Sequence, residues 1–231
     1  MIMRRIVALV GLCLSTLFSW AQIKDIEIIA GPNIGMLRSS MINQSTETKL
    51  TFDSKIGYSM GIGSNYFFNE KFSLGARLLY QRTTVRGDFP FEYGNGKGNL
   101  ELTTSFDYIS LPIMARYTIG NKMKFSGEVG GFVNYLLNSN VSNYFVYNSM
   151  TPTYAEATGQ YKNFDAGLSL GLSSQVPLSK KLSAKLSVYD NYGLVDISDI
   201  ENPAIPNRQN KANYLRSNTV NLLAGIVYSL R

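Results

Sequence analysis

Seven ionisable residues are the candidates for chemistry, because each falls on the polar side of a stretch in which polar and apolar residues alternate. A carboxylate pair such as Glu27 and Glu128 could share acid–base work, and a row of charges could form a polar path for a small ion. The other interpretation is a structural plug of salt bridges, since buried charges persist only when they are paired. Both signs are present in near balance, which favours the plug. The seven residues are Glu27, Arg77, Arg116, Lys124, Glu128, Asp165 and Lys185.

The composition excludes most other kinds of catalytic site. The chain has no histidine, which removes Ser-His-Asp hydrolysis, the usual zinc ligand sets and the histidine-dependent barrel phospholipases and proteases. No Gly-rich stretch follows a strand and opens a helix, so the glycines do not form a phosphate loop. The formal net charge is +6, but the basic residues are scattered, and no nucleic-acid surface is expected. The sequence therefore predicts a non-enzymatic protein with no catalytic residue, metal or cofactor.

Residues 1–21 have the features of a cleaved signal peptide. Arg4 and Arg5 precede an apolar stretch, which ends at the small-x-small site Ser19-Trp20-Ala21. The single cysteine, Cys13, lies inside this segment, so the mature chain has no thiol for disulfides or catalysis. We expect one mature domain over residues 22–231.

The elements that must position the seven charges are eight strands with a period of two residues. The clearest hairpin spans residues 108–137, where two alternating runs flank a Gly-Asn-Lys turn. One face of every strand is almost wholly apolar, and the other carries small, polar and charged residues. The predicted strands cover residues 25–37, 55–68, 72–86, 108–117, 124–137, 164–176, 182–192 and 219–230.

The connections between these strands alternate in length. Residues 69–71, 120–122 and 177–181 form short turns, whereas residues 38–54, 87–104, 139–163 and 193–218 form long loops. Short periplasmic turns and long extracellular loops are typical of outer-membrane barrels. The fold class predicted is therefore all-β, a single eight-stranded antiparallel up-and-down transmembrane barrel. With an even number of strands, both termini are expected on the short-turn side, in the periplasm.

Lipid is the expected neighbour of the apolar faces. A soluble lipocalin-type barrel would also have eight strands, with its apolar face lining a ligand cavity. The polar faces are rich in Gly and Ser, however, which suits a cramped interior better than a surface in water. Aromatic residues also gather near the strand ends, as in the girdles of membrane barrels. They are Tyr66, Phe68, Phe72, Tyr117 and Phe125 at the short-turn end, and Tyr80, Tyr108, Tyr135 and Tyr192 at the other.

Four segments resemble one protein family. They read YISLPIMARY (108–117), KFSGEVGGFVNYLL (124–137), KLSAKLSVYDNYGLVDIS (181–198) and LLAGIVYSL (222–230). Together they resemble the PorT-like outer-membrane beta-barrel family of Bacteroidetes. The resemblance implies an outer-membrane location and an accessory role in protein export to the cell surface. It carries over no functional residue, because the shared motifs are strand patterns.

Two kinds of partner are expected besides outer-membrane lipid. Outer-membrane barrels share a C-terminal signal that the barrel-assembly machinery recognises. In this chain, Gly225, Tyr228 and Leu230 resemble that signal in their spacing. Aromatic residues in the long loops could bind a partner protein or a glycan, or could pack together above the membrane. The main candidates are Tyr144, Phe145, Tyr147 and Tyr154.

The function predicted is that of a plugged barrel acting through its loops or turns, as an accessory to export. A narrow channel and a lipid-modifying enzyme are the alternatives.

Overall fold

The computed structural model describes residues 23–39, 52–93, 96–147, 153–158, 161–198 and 214–230. Across these ranges no helix is long and apolar enough to cross a membrane. The predicted signal segment, residues 1–21, lies outside the described residues. The strands are β1 (Ile23–Ser39), β2 (Asp53–Phe67), β3 (Phe72–Tyr93), β4 (Gly96–Ile119), β5 (Lys124–Tyr147), β6 (Thr153–Thr158), β7 (Phe164–Pro177), β8 (Leu182–Gly193) and β9 (Leu215–Ser229).

Eight of these strands close into a ring in chain order. Each pairs antiparallel with its neighbours, β5 pairs with both β4 and β7, and β9 closes the ring against β1. The remaining strand, β6, pairs with the outer half of β5. The predicted eight-stranded up-and-down barrel is confirmed.

The apolar faces point outward. Ile62, Leu74, Leu111 and Leu170 are exposed by 56%, 41%, 40% and 62% respectively, although each lies within a strand. Their polar neighbours in the chain, such as Ser169, are buried inside the barrel. Because the apolar faces of the strands point outward and side chains, many of them polar, fill the interior, the structure does not fit a soluble carrier with an apolar ligand cavity.

The three predicted short turns are present at one end of the barrel. In the β2–β3 turn, Asn69 Oδ1 accepts hydrogen bonds from the backbone N–H groups of Lys71 and Phe72, at 2.9 and 2.8 Å. Ser179 Oγ accepts in the same way in the β7–β8 turn. In the β4–β5 turn, Gly120 has φ of 93°, which a residue with a side chain rarely adopts. One residue stabilises each turn: Asn69 in the β2–β3 turn, Gly120 in the β4–β5 turn and Ser179 in the β7–β8 turn.

At the other end, strands β3, β4 and β5 continue beyond the ring. Much of the two segments predicted as loops, 87–104 and 139–163, is strand: β3 and β4 form one long hairpin, and β5 is followed by β6. A bulge between β4 and β5 explains why strand was not expected here. Asp107 pairs with Asn138 but Tyr108 pairs with Leu136, so Leu137 is an extra residue that interrupts the period of two.

Side chains fill the interior in layers. A cluster of charged residues lies towards the short turns, and Ile29, Leu79, Met114, Tyr189 and Leu223 form an apolar cluster beside it.

Above these lies a polar layer, in which Asn33, Ser59 and Asn221 link β1, β2 and β9 through hydrogen bonds of 2.9 and 2.8 Å. Tyr108, which was expected in the outer aromatic band, is only 4% exposed and packs inside with Val85, Phe106 and Leu136.

Candidate functional site

Five of the seven predicted charges meet inside the barrel. They come from five different strands: Glu27 on β1, Arg77 on β3, Arg116 on β4, Glu128 on β5 and Lys185 on β8. Each occupies an inward position a few residues from the short-turn end, and none is more than 5% exposed. The strand register therefore gathers charges that are up to 158 residues apart in the chain. We call this group the charge network.

Glu27 is held by two cations. Its Oε1 accepts from Arg77 Nε at 2.6 Å, and its Oε2 accepts from Lys185 Nζ at 2.6 Å. The side chain is fully buried. Each carboxylate oxygen thus has a charged donor, which compensates for its removal from water.

Glu128 is held by three donors. Its Oε2 accepts from Arg77 Nη2 at 2.7 Å, while its Oε1 accepts from Arg116 Nε at 3.0 Å and from Ser173 Oγ at 2.8 Å. Lys185 Nζ lies 3.9 Å from the same Oε1. Glu128 therefore anchors groups from β3, β4, β7 and β8 at one point.

The walls of the barrel are shaped to admit these side chains. A Cβ atom at Gly63 would lie 2.8 Å from Glu27 Oε1 and 2.9 Å from Arg77 Cγ, so only glycine leaves room for the pair. On the other side, the Arg77 guanidinium lies 5.4 Å from the centre of the Tyr189 ring. Steric fit thus adds to charge in fixing Arg77.

The arrangement suits a structural lock better than acid–base chemistry. The network contains three cations and two carboxylates, and the Arg77 guanidinium stands between Glu27 and Glu128. A carboxylate pair that shares a proton needs the two acids in direct contact, which this geometry prevents. Within the part of the chain described, no group of three or more His, Cys, Asp or Glu residues is placed to hold a metal ion.

Two predicted residues lie apart from the network. Asp165 is fully buried but accepts from Ser217 Oγ at 2.6 Å and from Asn134 Nδ2 at 3.2 Å, towards the opposite end of the barrel. Lys124 is exposed at the start of β5, beside the turn, and the expectation that it points into the lumen is wrong. Lys124 has the same alternation as Glu128, but it pairs with Gln175 near the end of the barrel wall, where its side chain is exposed.

Sequence reasoning assigned no role to Ser173 or Tyr189, although both are on inward positions of their strands. Ser173 donates to Glu128, and Tyr189 is buried against Arg77. The same alternation that selected the charges could have selected these two residues.

The end of the barrel opposite the short turns is covered by chain segments that follow β8 and precede β7. Ile197 and Ser198 are buried, and Lys162 N donates to Ile197 O at 2.9 Å. Tyr161 packs edge-on against Phe106, with 4.7 Å between the ring centres, and burial raises the pKa of its phenol. We call these segments the mouth cover.

The four loop aromatics lie on the projecting strands. Tyr144, Phe145 and Tyr147 are on the outer part of β5, and Phe145 is 41% exposed. The backbone of Tyr154, on β6, pairs directly with that of Tyr144. Two of the four predicted contact residues are therefore brought to neighbouring positions of one small sheet.

Comparisons with known proteins give one family and several fold neighbours. Ail of Yersinia pestis is 11% identical, with 90% of this chain and 100% of that chain covered and a TM-score of 0.34. OprG of Pseudomonas aeruginosa is 14% identical, with 91% and 98% covered and a TM-score of 0.44. Neisserial surface protein A is 13% identical, with 89% and 97% covered and a TM-score of 0.42. No curated protein sequence matches the chain.

The family match is extensive. The model of the outer membrane protein beta-barrel domain matches residues 20–199, well over half of the chain. The chain therefore belongs to the outer membrane protein beta-barrel domain family, and it is an outer-membrane barrel.

Proposed function

We propose that this protein is a non-enzymatic, non-conducting barrel that acts through the sheet projecting beyond its ring. The observation that carries the proposal is that buried side chains fill the lumen while β3, β4, β5 and β6 extend past it. A barrel whose lumen is filled by side chains would act through contacts at its surfaces. The projecting sheet is one of these surfaces in the described chain.

The closed lumen supports the non-conducting part of the proposal. An eight-stranded interior is only wide enough for its own side chains. Here the charge network and the neighbouring apolar cluster both span that interior. An ion would have to separate buried pairs and then cross an apolar layer, and each step is costly.

The proposed orientation places both termini and the short turns in the periplasm. Compact turns, each fixed by Asn69, Gly120 or Ser179, lie at the end where β1 begins and β9 ends. Outer-membrane barrels carry their short turns on the periplasmic side. The projecting sheet is then extracellular, and the predicted signal at residues 1–21 would direct export.

The proposed partner is a protein or a glycan at the cell surface. Tyr144, Phe145, Tyr147 and Tyr154 supply aromatic groups on the β5–β6 hairpin, and aromatic residues are enriched where proteins bind partners. The resemblance to the PorT-like family suggests a partner that is itself being exported. The barrel-assembly machinery remains a second predicted partner, through Gly225, Tyr228 and Leu230.

A truncated hairpin tests the proposal. Asn143 pairs with Ala155, so residues 144–154 can be replaced by a two-residue Asn-Gly turn without disturbing the register. Crosslinking in intact cells should then lose captured partners, or surface export should fall. A second variant replaces residues 89–100 by the same turn at the Asp88–Glu101 pair, and it tests whether the β3–β4 part of the projecting sheet also contributes. Unchanged partners and export in the β5–β6 variant, with a correctly assembled barrel, would refute the proposal.

A narrow channel is the second candidate, favoured by the polar inward faces of the strands. Planar-bilayer recording separates the two functions. The wild-type protein should show no steady conductance. A steady conductance that changes when Arg77 or Glu128 is neutralised would establish the channel instead.

A further inference from the structure

Two arginines stand side by side on the outer wall of the barrel. Arg38 on β1 pairs directly with Arg216 on β9, in line with the outward positions of Ile34 and Val220 below them. Side chains of directly paired residues lie about 5 Å apart at Cβ, so like charges at such positions repel. A stable barrel wall needs something to neutralise this pair.

Among the described residues, no carboxylate forms a direct ion pair with either arginine. Arg38 donates through Nη2 to the backbone carbonyls of Gly193 and Ser217, and none of the described acidic side chains comes within 4.0 Å of either guanidinium. Asp190, on the same wall, and the buried Asp165 act on Arg38 from beyond that distance, and Asp190 Oδ1 faces the Asn218 amide at 2.8 Å. The two arginines therefore keep their positive charge.

The outward arginines of β3, two strands from β1, differ. Arg86 on β3 lies 2.7 Å from Glu101, and Arg82 lies 3.7 Å from Asp107. Those outer arginines have carboxylate partners on the adjacent strand.

Aromatic rings hold the unpaired arginines in place. The Arg38 guanidinium lies 3.6 Å from the centre of the Tyr192 ring, and that of Arg216 lies 4.5 Å from the centre of the Tyr214 ring. A ring that covers the face of a guanidinium leaves its N–H edge for an acceptor in the plane. Such edges suit phosphate oxygens, which can accept two parallel hydrogen bonds.

The pair also lies at the height of lipid headgroups. On β8 the outward residues from Leu182 to Tyr192 are apolar except for Asp190, and at about 3.3 Å per residue and a tilt of about 40° they span roughly 25 Å. That is the height of the apolar band of a membrane barrel. Tyr192 is thus at the edge of the hydrocarbon, and Arg38, stacked on it, is at the headgroups.

We propose that Arg38 and Arg216 form a binding site for a phosphate-bearing lipid headgroup in the leaflet beside the projecting sheet. The lipid phosphate supplies the direct anionic partner that the two arginines lack, while the acyl chains lie on the apolar strands below. Assignment to the outer leaflet rests on the proposed orientation. The site itself is independent of whether the β5–β6 hairpin binds a partner.

Native mass spectrometry of the full chain released from detergent tests the site. The probes are diphosphoryl lipid A, the same lipid with both phosphates removed, and inorganic phosphate. We expect the wild-type protein to bind the phosphorylated lipid about 10-fold or more tightly than the phosphate-free lipid. The variant R38Q/R216Q should lose that preference, whereas R86Q, on β3, should keep it.

Equal binding of the two lipids by the wild-type protein would overturn the proposal, and this comparison needs no variant to fold. Unchanged preference in R38Q/R216Q would also overturn it, once the heat-dependent gel mobility typical of an assembled barrel has been verified. Displacement of the lipid by millimolar inorganic phosphate would show a site for soluble anions instead. A preference for the phosphorylated lipid that resists inorganic phosphate and disappears in R38Q/R216Q would establish the site.

Discussion

Glu27 and Glu128 stand on opposite walls of the barrel and are joined through one guanidinium, that of Arg77. Arg77 Nε lies 2.6 Å from Glu27 and Arg77 Nη2 lies 2.7 Å from Glu128. Since β1 and β5 are four strands apart in either direction around the ring, this bridge crosses the full width of the lumen. It makes the two carboxylates parts of a cross-brace rather than an acid–base pair.

Removal of Glu128 should strongly destabilise the barrel. The variant E128A leaves Arg77, Arg116 and Lys185 buried around the single carboxylate of Glu27. An uncompensated buried charge costs about 3–5 kcal/mol, and we expect that loss in the free energy of unfolding. Urea titration in phospholipid vesicles measures it.

The control for E128A is R86A, which breaks the partly exposed Arg86–Glu101 pair on the outer wall. Exposed pairs contribute about 0–1 kcal/mol, so this variant should be nearly as stable as the wild type. Similar losses in E128A and R86A would contradict the assignment of the charge network as the brace.

A methyl group at Gly63 should disturb the same brace by steric means. The variant G63A places a Cβ 2.8 Å from Glu27 Oε1, and we expect a loss of about 1–3 kcal/mol from overpacking. In the control G127A the new Cβ has no atom within 4 Å, so its stability should change by about 0.5 kcal/mol or less. The same urea titration compares them, and an equal effect of the two would show that the wall can adjust around Gly63.

The orientation of the wall could be predicted because alternation depends on chain neighbours alone. Ile62 and Leu170 lie in unbroken runs with a period of two, and the structure exposes both. The pattern fails at Leu137, where a bulge shifts the register and inverts which positions face inward. Such a bulge depends on how two strands pair, and the sequence of one strand alone does not specify that pairing.

The charge network was predictable only in part for a related reason. Alternation tells which side a residue faces, but not its height along the barrel axis. That height follows from strand register and explains why Asp165 lies near Ser217, far from Glu27, and why Lys124 lies outside the lumen. Register emerges from all the strands together.

A charge on the outer face should cost stability according to its depth in the membrane. Leu170 lies near the middle of β7 and is 62% exposed, so L170R should lose about 2–4 kcal/mol in vesicles. Leu182, at the turn end of β8, is outward too, but L182R should lose only about 0–1 kcal/mol. Unfolding titrations in vesicles compare the two. Equal small losses would show that the Leu170 face does not meet hydrocarbon.

Asp196 should hold the mouth cover closed without contributing much to the ring. Its Oδ1 accepts from Ser198 N at 3.1 Å, from Ser198 Oγ at 2.6 Å and from Leu215 N at 3.0 Å. We expect D196A to speed hydrogen exchange at the Leu215 amide at least about 10-fold, because a charge-assisted bond contributes about 1.5–3 kcal/mol.

Amides in the ring, such as that of Val188 on β8, should exchange at the wild-type rate in D196A, which provides an internal control. Local opening of the mouth cover leaves the backbone hydrogen bonds between the ring strands intact. A residue-resolved exchange profile therefore distinguishes local opening from destabilisation of the whole barrel. Uniformly faster exchange would mean that Asp196 supports the whole barrel. An unchanged rate at Leu215 would mean that the mouth cover is held by the burial of Ile197 instead.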